Sequence, residues 1–341
     1  MDFRNRRGIK NVLITGCAGF IGSNFMIRMI QEHPDIRWIG IDKMTYCSSD
    51  NFLLEISEKG KKEKKGKNYE FIKADICNLD FMNHIFDEYE IDAVVHFAAY
   101  SHVDNSFGNS LEFSYNNIIG THTLLEVARK HKSQVKIFVS VSTDEIYSES
   151  DRLCYEDSTM GRPSNPYSAS KYCSEAISMS YFRSFGLPII VTRSNNVYGP
   201  RQYPEKVIPK FIKLMQEEKK FTIQGSGQQR RSFIYIDDVV NAFSLIMHNG
   251  RVGEIYNIGT NIEYTVLDIA NKLLKLKYGP DSKLDFEKHL ENIPDREFND
   301  SRYYISTEKM KEHFGWMPQI LFEDGLRRTF QWYQENPKYF Q

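Results

Sequence analysis

The chain has 341 residues, with 44 Lys and Arg against 45 Asp and Glu for a formal charge of −1; 41% of it is hydrophobic and 13% aromatic. A balance this close to neutral excludes a nucleic-acid or membrane-surface binder working through bulk charge, and the aromatic content excludes a disordered chain. The length allows a large core domain with a second, smaller lobe.

Met1 to Lys10 is polar and basic and leads directly into the first predicted strand, without the apolar core of a signal peptide. No apolar run reaches the roughly 20 residues that cross a bilayer. The first six predicted strands are short apolar or β-branched runs at Asn11–Thr15, Trp38–Ile41, Tyr69–Lys73, Ala93–Ala98, Lys136–Val141 and Pro188–Thr192. Helical spacing falls between them at Gly22–Gln31, Asp80–Tyr89 and Leu111–His131. A further helix is predicted to start at Asn165, an N-cap residue followed by Pro166 at the first helical position. The lysine-rich run Lys59–Lys67 reads as a solvated loop between two strands. Such alternation predicts an α/β fold, a doubly wound parallel sheet covered on both faces.

After Gly199 the alternation breaks down and Pro200, Pro204 and Pro209 crowd in. The expected division is a dinucleotide-binding Rossmann domain over residues 1–195 and a smaller substrate-binding lobe over 196–341, partly interwoven with the first. No internal repeat is visible. The five cysteines (Cys17, Cys47, Cys77, Cys154 and Cys173) are odd in number, scattered and free of C-x-x-C spacing. That pattern fits reduced thiols in the cytoplasm, not a disulfide framework or zinc site. The histidines show neither HxH nor HExxH spacing, so no metal is expected.

Gly16-Cys-Ala-Gly19-Phe-Ile-Gly22 follows the first strand and opens a helix. Glycines there permit a tight turn and let backbone N–H groups approach a pyrophosphate at the positive helix end. By itself the spacing is weak, since any tight strand-to-helix turn can need glycine. Asp42, at the end of the second strand, stands where a carboxylate binds the ribose hydroxyls of NAD and repels the 2′-phosphate of NADP. The plainer alternative for Asp42 is an acid that caps its own loop.

Tyr167 and Lys171, at i and i+4, share one face of the Asn165 helix. A phenol of ordinary pKa about 10 is a poor base, but a neighbouring ammonium favours its phenolate. A chance Tyr–Lys pair on an amphipathic face is the plain alternative. Thr143, Asp144 and Glu145 follow the fifth strand, at the carboxyl edge where doubly wound folds bind ligands. Ser142-x-x-Glu145 also satisfies a capping box, although no helical repeat continues through Tyr147–Asp151. Adjacent acids suit an elimination, one protonating a leaving hydroxyl and the other removing a carbon-bound proton.

With the glycine turn, Y-x-x-x-K resembles the extended short-chain dehydrogenase/reductase superfamily. Six further segments resemble its nucleoside-diphosphate-glucose 4,6-dehydratases: His96-Phe-Ala-Ala99 with Ser101-His-Val-Asp104, Ser142-Thr-Asp-Glu-Ile-Tyr147, Asn195-Asn-Val-Tyr-Gly-Pro200, Pro204-Glu-Lys206, Arg231 and Tyr256-Asn-Ile-Gly259. The resemblance runs from Lys10 to about Trp332.

It implies an enzyme, a hydro-lyase with NAD as tightly held cofactor. Tyr167, helped by Lys171 and Thr143, takes the proton of the glucose 4-hydroxyl while NAD accepts hydride from C4. Glu145 then removes the C5 proton, Asp144 protonates the departing 6-hydroxyl, and hydride returns to C6. An epimerase, which only oxidises and re-reduces C4, needs no such acid pair.

Residue by residue, the resemblance places Gly16, Gly19, Phe20, Ile21, Gly22, Asp42, Lys43, Thr45, Asp75, Ile76, Ala98, Ala99, Ser101 and Asn116 around NAD, with Tyr167 and Lys171. Ser101, Thr143, Asn196, Lys206, Val207, Arg231 and Arg296 fall around the sugar and diphosphate. Asn299 stands where several bacterial members carry histidine, and Tyr100 where they carry an acid or amide.

His102–Ser110 and Phe298–Asp300 resemble the dehydratase half of plant rhamnose synthases, which use UDP-glucose. Arg193–Pro200 and Tyr203–Lys210 resemble the animal dTDP-glucose proteins. UDP-glucose is the expected substrate and dTDP-glucose the alternative. A UDP-sugar epimerase or decarboxylase and a non-catalytic nucleotide-sugar binder are the further rivals. The resemblance also implies a homodimer packed through Leu111–His131 and Pro166–Phe185. Because no reductase segment follows, a separate downstream epimerase/reductase is expected to complete rhamnose or another deoxysugar.

Overall fold

The computed structural model describes residues 5–60, 68–280 and 285–340. Its strands are β1 (Asn11–Thr15), β2 (Arg37–Asp42), β3 (Tyr69–Lys73), β4 (Ala93–His96), β5 (Ile137–Thr143), β6 (Ile189–Ser194), β7 (Asn196–Tyr198), β8 (Phe221–Gln224), β9 (Arg230–Tyr235), β10 (Ile255–Ile258), β11 (Glu263–Thr265) and β12 (Leu290–Ile293). The helices that frame them are α1 (Phe20–Glu32), α2 (Asp50–Gly60), α3 (Leu79–Glu88), α4 (Val103–Gly108), α5 (Ser110–Phe113), α6 (Gly120–Lys130), α7 (Pro166–Phe185), α8 (Val207–Gln216) and α9 (Ile236–Asn249). No described helix is long and apolar enough to cross a membrane.

Seven strands form one sheet in the order β10-β6-β5-β4-β1-β2-β3, every pairing parallel. Side chains alternate between its faces. Val12, Ile14, Val95, Val139 and Ile190 pack against α1 and α9, whereas Leu13, Val94, Phe138, Ile189 and Val191 pack against α3, α6 and α7. Both layers are fully buried, which explains why these strands read as continuous apolar runs. The strand order reverses between β1 and β4, where a doubly wound sheet opens a crevice at its carboxyl edge. The later part of the chain serves both bodies. β10 closes the large sheet beside β6 and α9 covers it, while β7, β9 and β11 form a separate three-stranded sheet.

Two expected elements differ. The stretch Leu111–His131 is not one helix: a π-helical turn over Ser114–Ile119 separates α5 from α6. The wider turn accompanies two buried polar residues, Asn116 and Asn117. The Asn117 amide accepts from Tyr100 N (2.8 Å) and donates to Tyr100 O (3.0 Å) and Ser170 Oγ (2.9 Å), bonds that no hydrophobic period announces. The lysine-rich run does not begin as a loop. Lys59 and Gly60 finish α2, with Lys59 Nζ 3.4 Å from Glu55 Oε1, and residues 61–67 lie outside the described residues.

Candidate active site

A cavity of about 450 Å³ opens at the carboxyl edge of the large sheet. At its floor the chain leaving β1 meets the chain leaving β4. Gly16 adopts φ +70°, and a Cβ there would lie 2.8 Å from Ala98 N. Gly22 is as constrained, because its Cβ would lie 2.2 Å from the Gly16 carbonyl oxygen. Helix α1 starts at Phe20 behind Gly19 as N-cap, with no side-chain cap and no acid in its first turn. Its first N–H groups therefore have no carboxylate competing for them, and they suit a phosphate.

Asp42 lines the same cavity, but its oxygens already serve the protein. Oδ2 accepts from Ala18 N (3.1 Å), and Oδ1 accepts from Met44 N (2.8 Å) and Ser48 Oγ (2.9 Å). The loop-capping alternative thus describes real bonds, made at the site where a ribose would sit. Beneath it, His96 bridges Thr15 Oγ1 (2.7 Å) and Thr121 Oγ1 (3.0 Å); burial, with the Lys171 charge second, holds this imidazole down to about 3.

The acid pair sits on a single 3₁₀ turn, Asp144–Tyr147, that leaves the end of β5. Its cap is Thr143, not Ser142: Thr143 Oγ1 accepts from Glu145 N at 3.3 Å. Glu145 lines the cavity, whereas Asp144 lies behind the wall, 5% exposed, and accepts from Asn195 Nδ2 at 2.8 Å and Thr143 Oγ1 at 3.2 Å. Burial pushes the Asp144 carboxyl up to about 7, with the Glu145 charge adding to the rise. Glu145 is raised as well, first by burial, against the opposing Asn165 bond and the cations Arg231, Lys206 and Arg296.

Helix α7 carries Tyr167 and Lys171 into the cavity. A capping box fixes its start: Asn165 Oδ1 accepts from Ser168 N (2.9 Å) and Ser168 Oγ accepts from Asn165 N (3.3 Å). Contrary to the sequence expectation, the Lys171 ammonium does not hold the Tyr167 phenol down. It donates to the Val141 carbonyl. The phenol is raised, first by burial and then by the Glu145 charge, with Thr143 opposing. Burial lowers Lys171 to about 8, although Glu175 counters it.

Across the cleft, Lys206 Nζ donates to Ser101 O (2.7 Å), and Arg296 approaches Asp104 (3.3 Å). Arg231 and Arg296 converge on the side-chain Oδ1 of Asn299, and Arg296 Nε is a buried donor with no hydrogen-bond partner. A fork of this kind with an unfilled donor suits a diphosphate.

Most predicted residues meet here: Gly16, Gly19, Phe20, Ile21, Gly22, Asp42, Lys43, Thr45, Ile76, Ala98, Ala99, Ser101, Asn116, Asn196, Lys206, Val207, Arg231 and Arg296 line the cavity with Thr143, Glu145, Tyr167 and Lys171. Asp75, like Asp144, does not. Its carboxylate accepts from Cys77 N (2.9 Å) and faces Lys43 (3.8 Å), which fixes its turn instead of facing the cavity. Residues the sequence reading did not single out also contribute. Tyr303, Gln224 and Phe233 line the cavity, and only Phe233 had a local signal, two positions after Arg231. Among the described residues no group of His, Cys, Asp and Glu could hold a metal ion.

This fold and site define a Rossmann-type protein of the extended short-chain dehydrogenase/reductase class. The chain belongs to the GDP-mannose 4,6 dehydratase family, whose profile matches residues 13–329. It is 45% identical over 340 residues to a trifunctional UDP-glucose 4,6-dehydratase/UDP-4-keto-6-deoxy-D-glucose 3,5-epimerase/UDP-4-keto-L-rhamnose-reductase of Arabidopsis thaliana, covering 97% of this chain and 48% of that one. It therefore spans about half the length of that relative. It is 43% identical to a dTDP-D-glucose 4,6-dehydratase of Homo sapiens, over 96% of this chain and 91% of that one. Among solved structures, the dTDP-glucose 4,6-dehydratase of Streptomyces venezuelae, crystallised with NAD, superposes with a TM-score of 0.88 at 34% identity, covering 97% of this chain and 99% of that one.

Proposed function

We propose that this protein is a UDP-glucose 4,6-dehydratase, converting UDP-glucose into UDP-4-keto-6-deoxyglucose and water with NAD as cofactor. The observation that carries the reading is the acid pair Asp144–Glu145 on one turn, with Glu145 lining the same cavity as Tyr167 and Lys171 and Asp144 directly behind it. When bound, NAD supplies the hydride acceptor and donor that make the net reaction redox-neutral. The bare start of α1, the Gly16–Gly22 contact and Asp42 fit its pyrophosphate and adenosine ribose.

Tyr167 accepts the proton of the sugar 4-hydroxyl in its phenolate form, which the hydrogen bond from Thr143 favours against burial, with Lys171 behind it. A ketone at C4 acidifies the C5 proton, which Glu145 removes. Asp144, whose raised pKa keeps a proton available near neutrality, delivers it to the 6-hydroxyl, and the C6–O bond breaks to release water. The proton balance closes when Glu145 returns its proton to C5 and the proton taken up at Tyr167 is released to solvent while Asp144 takes one back, which resets all three groups. In this division of labour residues 1–195 hold the cofactor, and residues 196–341 supply Asn196, Lys206, Val207, Arg231 and Arg296 to the nucleotide diphosphate.

The uracil assignment rests on the Arabidopsis relative and on the His102–Ser110 and Phe298–Asp300 segments. The human relative supports dTDP-glucose as the second reading. UDP and dTDP differ by a ribose 2′-hydroxyl and a thymine methyl, and one methyl discriminates by only about 1–3 kcal/mol, so a preference is expected. The epimerase and reductase activities named in the Arabidopsis relative are proposed as those that consume the product. A homodimer is proposed through the Leu111–His131 and α7 face, supported by the exposed apolar side chains Leu111, Tyr115, Ile119 and Phe185. A cytoplasmic setting fits the free cysteines.

The test is incubation with UDP-glucose and dTDP-glucose separately, followed by mass spectrometry. Loss of one water, faster from UDP-glucose, is the expected result. A C4 epimer of unchanged mass would overturn the dehydratase reading.

A further inference from the structure

Asn165 carries a second bond that its capping role does not require. Its Oδ1 is committed to Ser168 N at 2.9 Å, so its Nδ2 must point the other way, where it donates to Glu145 Oε2 at 3.1 Å. The amide cannot be turned around without setting an oxygen against a carboxylate and losing the helix cap. Asn165 is 6% exposed and does not line the cavity, so it has no route to substrate except through Glu145. Behind it, Ser164 Oγ lies 3.5 Å from the same Nδ2 and donates to Asp300 Oδ2 at 2.7 Å, and Asp300 also accepts from Tyr303. This chain of bonds ties the start of α7 to the C-terminal segment on the far side of the cleft.

We infer that Asn165 is a positioning residue for the elimination, holding the Glu145 carboxylate in register with the helix that presents Tyr167 and Lys171. The inference rests on the proposed role of Glu145 as the base at C5. One side chain then sets both halves of the chemistry: its carbonyl oxygen starts the helix of the oxidation step, and its amide orients the base of the elimination step. The groups facing Glu145 are Asp144 on its own turn, Tyr167 from α7, Lys206 ahead of α8, Arg231 from β9, and Arg296 and Tyr303 from the C-terminal segment. Among the bonds that favour the charged carboxylate, the one from Asn165 is the largest.

Asn165→Ser separates the two roles, because serine is an equally good N-cap but its short hydroxyl cannot reach Glu145 while capping. The expected result with UDP-glucose is a kcat lowered by roughly 10–100-fold, as for a misplaced catalytic group, with KM within about twofold. Loss of a donor to the charged carboxylate raises its pKa, so the acid limb of the kcat profile moves to higher pH. Asn165→Asp, which also caps but sets a carboxylate against Glu145, is expected to move the limb further. Asn165→Ser, which keeps the cap, should melt close to the parent, whereas Asn165→Asp, which buries a second carboxylate beside Glu145, should melt lower. An unmoved limb, whether kcat is retained or falls with melting temperature, overturns the inference and leaves Asn165 a helix cap only. Glu145→Gln is the control: if it is inactive while Asn165→Ser is unchanged, only this inference fails. Full activity of Glu145→Gln removes the base assignment, and this inference with it.

Discussion

The Asn195 carboxamide reaches Asp144 Oδ2 at 2.8 Å through its Nδ2 while its Oδ1 accepts from Thr260 N at 3.0 Å, so the loop after β10 fixes Asp144 on the turn that leaves β5. Asp144 is buried and carries a pKa raised to about 7. A folded-state pKa above the unfolded value means that the folded protein binds the proton more tightly. This contribution to stability is full below about pH 4 and is lost as pH rises through about 7. Asp144→Asn should therefore flatten the fall in stability between about pH 4 and pH 7, read by urea denaturation, while lowering the water-loss rate by about 10²-fold or more. The parent activity should decline above about pH 7 as the acid loses its proton.

Gly22 touches the Gly16 carbonyl so closely that Gly22→Ala forces α1 away from β1. A cost of about 1–3 kcal/mol from overpacking is expected, together with loss of the rise in melting temperature that added NAD gives the parent. Gly108→Ala, at the end of α4 with no atom within 4 Å of the new Cβ, is the control. It should be neutral or slightly stabilising.

Arg193 and Glu175 form a buried ion pair, 2% and 1% exposed, with both Glu175 oxygens 3.2 Å from Arg193 Nε. The same guanidinium donates to Tyr147, and Tyr147 donates to Asn257 Oδ1 at 3.0 Å, so the pair braces the Asp144–Tyr147 turn against α7, β6 and β10. Glu175→Ala strands a buried cation and should cost about 3–5 kcal/mol by denaturant titration. Glu175→Gln keeps the side-chain shape but removes the charge that both pairs with Arg193 and holds Lys171 up, so the Lys171 titration, followed by NMR, should fall below about 8.

Arg231 and Arg296 face the cavity as a cationic fork, but Arg296 shares its charge with the half-buried Asp104. Replacing Arg231 with Gln should weaken UDP binding roughly 10–100-fold, the scale of a charged hydrogen bond of about 1.5–3 kcal/mol. Asp104→Asn frees Arg296 from a competitor and should tighten UDP by up to about fivefold, within the roughly 1 kcal/mol of a partly exposed ion pair. Calorimetry at two salt concentrations measures both.

Much of this site was legible locally. The glycine turn, Asp42, Thr143–Glu145 and Tyr167–Lys171 each lie within a few residues of a strand end or helix start, where the period of the chain changes. Gly16 and Gly22 were readable because a left-handed φ and a 2.2 Å backbone approach admit only glycine. Asn165 was readable as a cap because that bond spans three residues. Its bond to Glu145 spans twenty residues and leaves no pattern in the intervening chain. The π turn at Ser114–Ile119 escaped for a similar reason: Asn117 is held by Tyr100 and Ser170, far away in sequence.

The amino-acid sequence by itself determined the doubly wound sheet, because strand and helix periods are local consequences of which face is buried. It also determined which residues have the chemistry for a dinucleotide, a diphosphate and an elimination. Only the tertiary structure decided that Lys171 serves the Val141 carbonyl, that Asp144 sits behind the cavity wall on Asn195, and that Asp75 braces a turn. Those outcomes depend on burial and on hydrogen-bond partners brought together by the fold. Desolvation and donor geometry belong to the assembled site, not to any single stretch of chain.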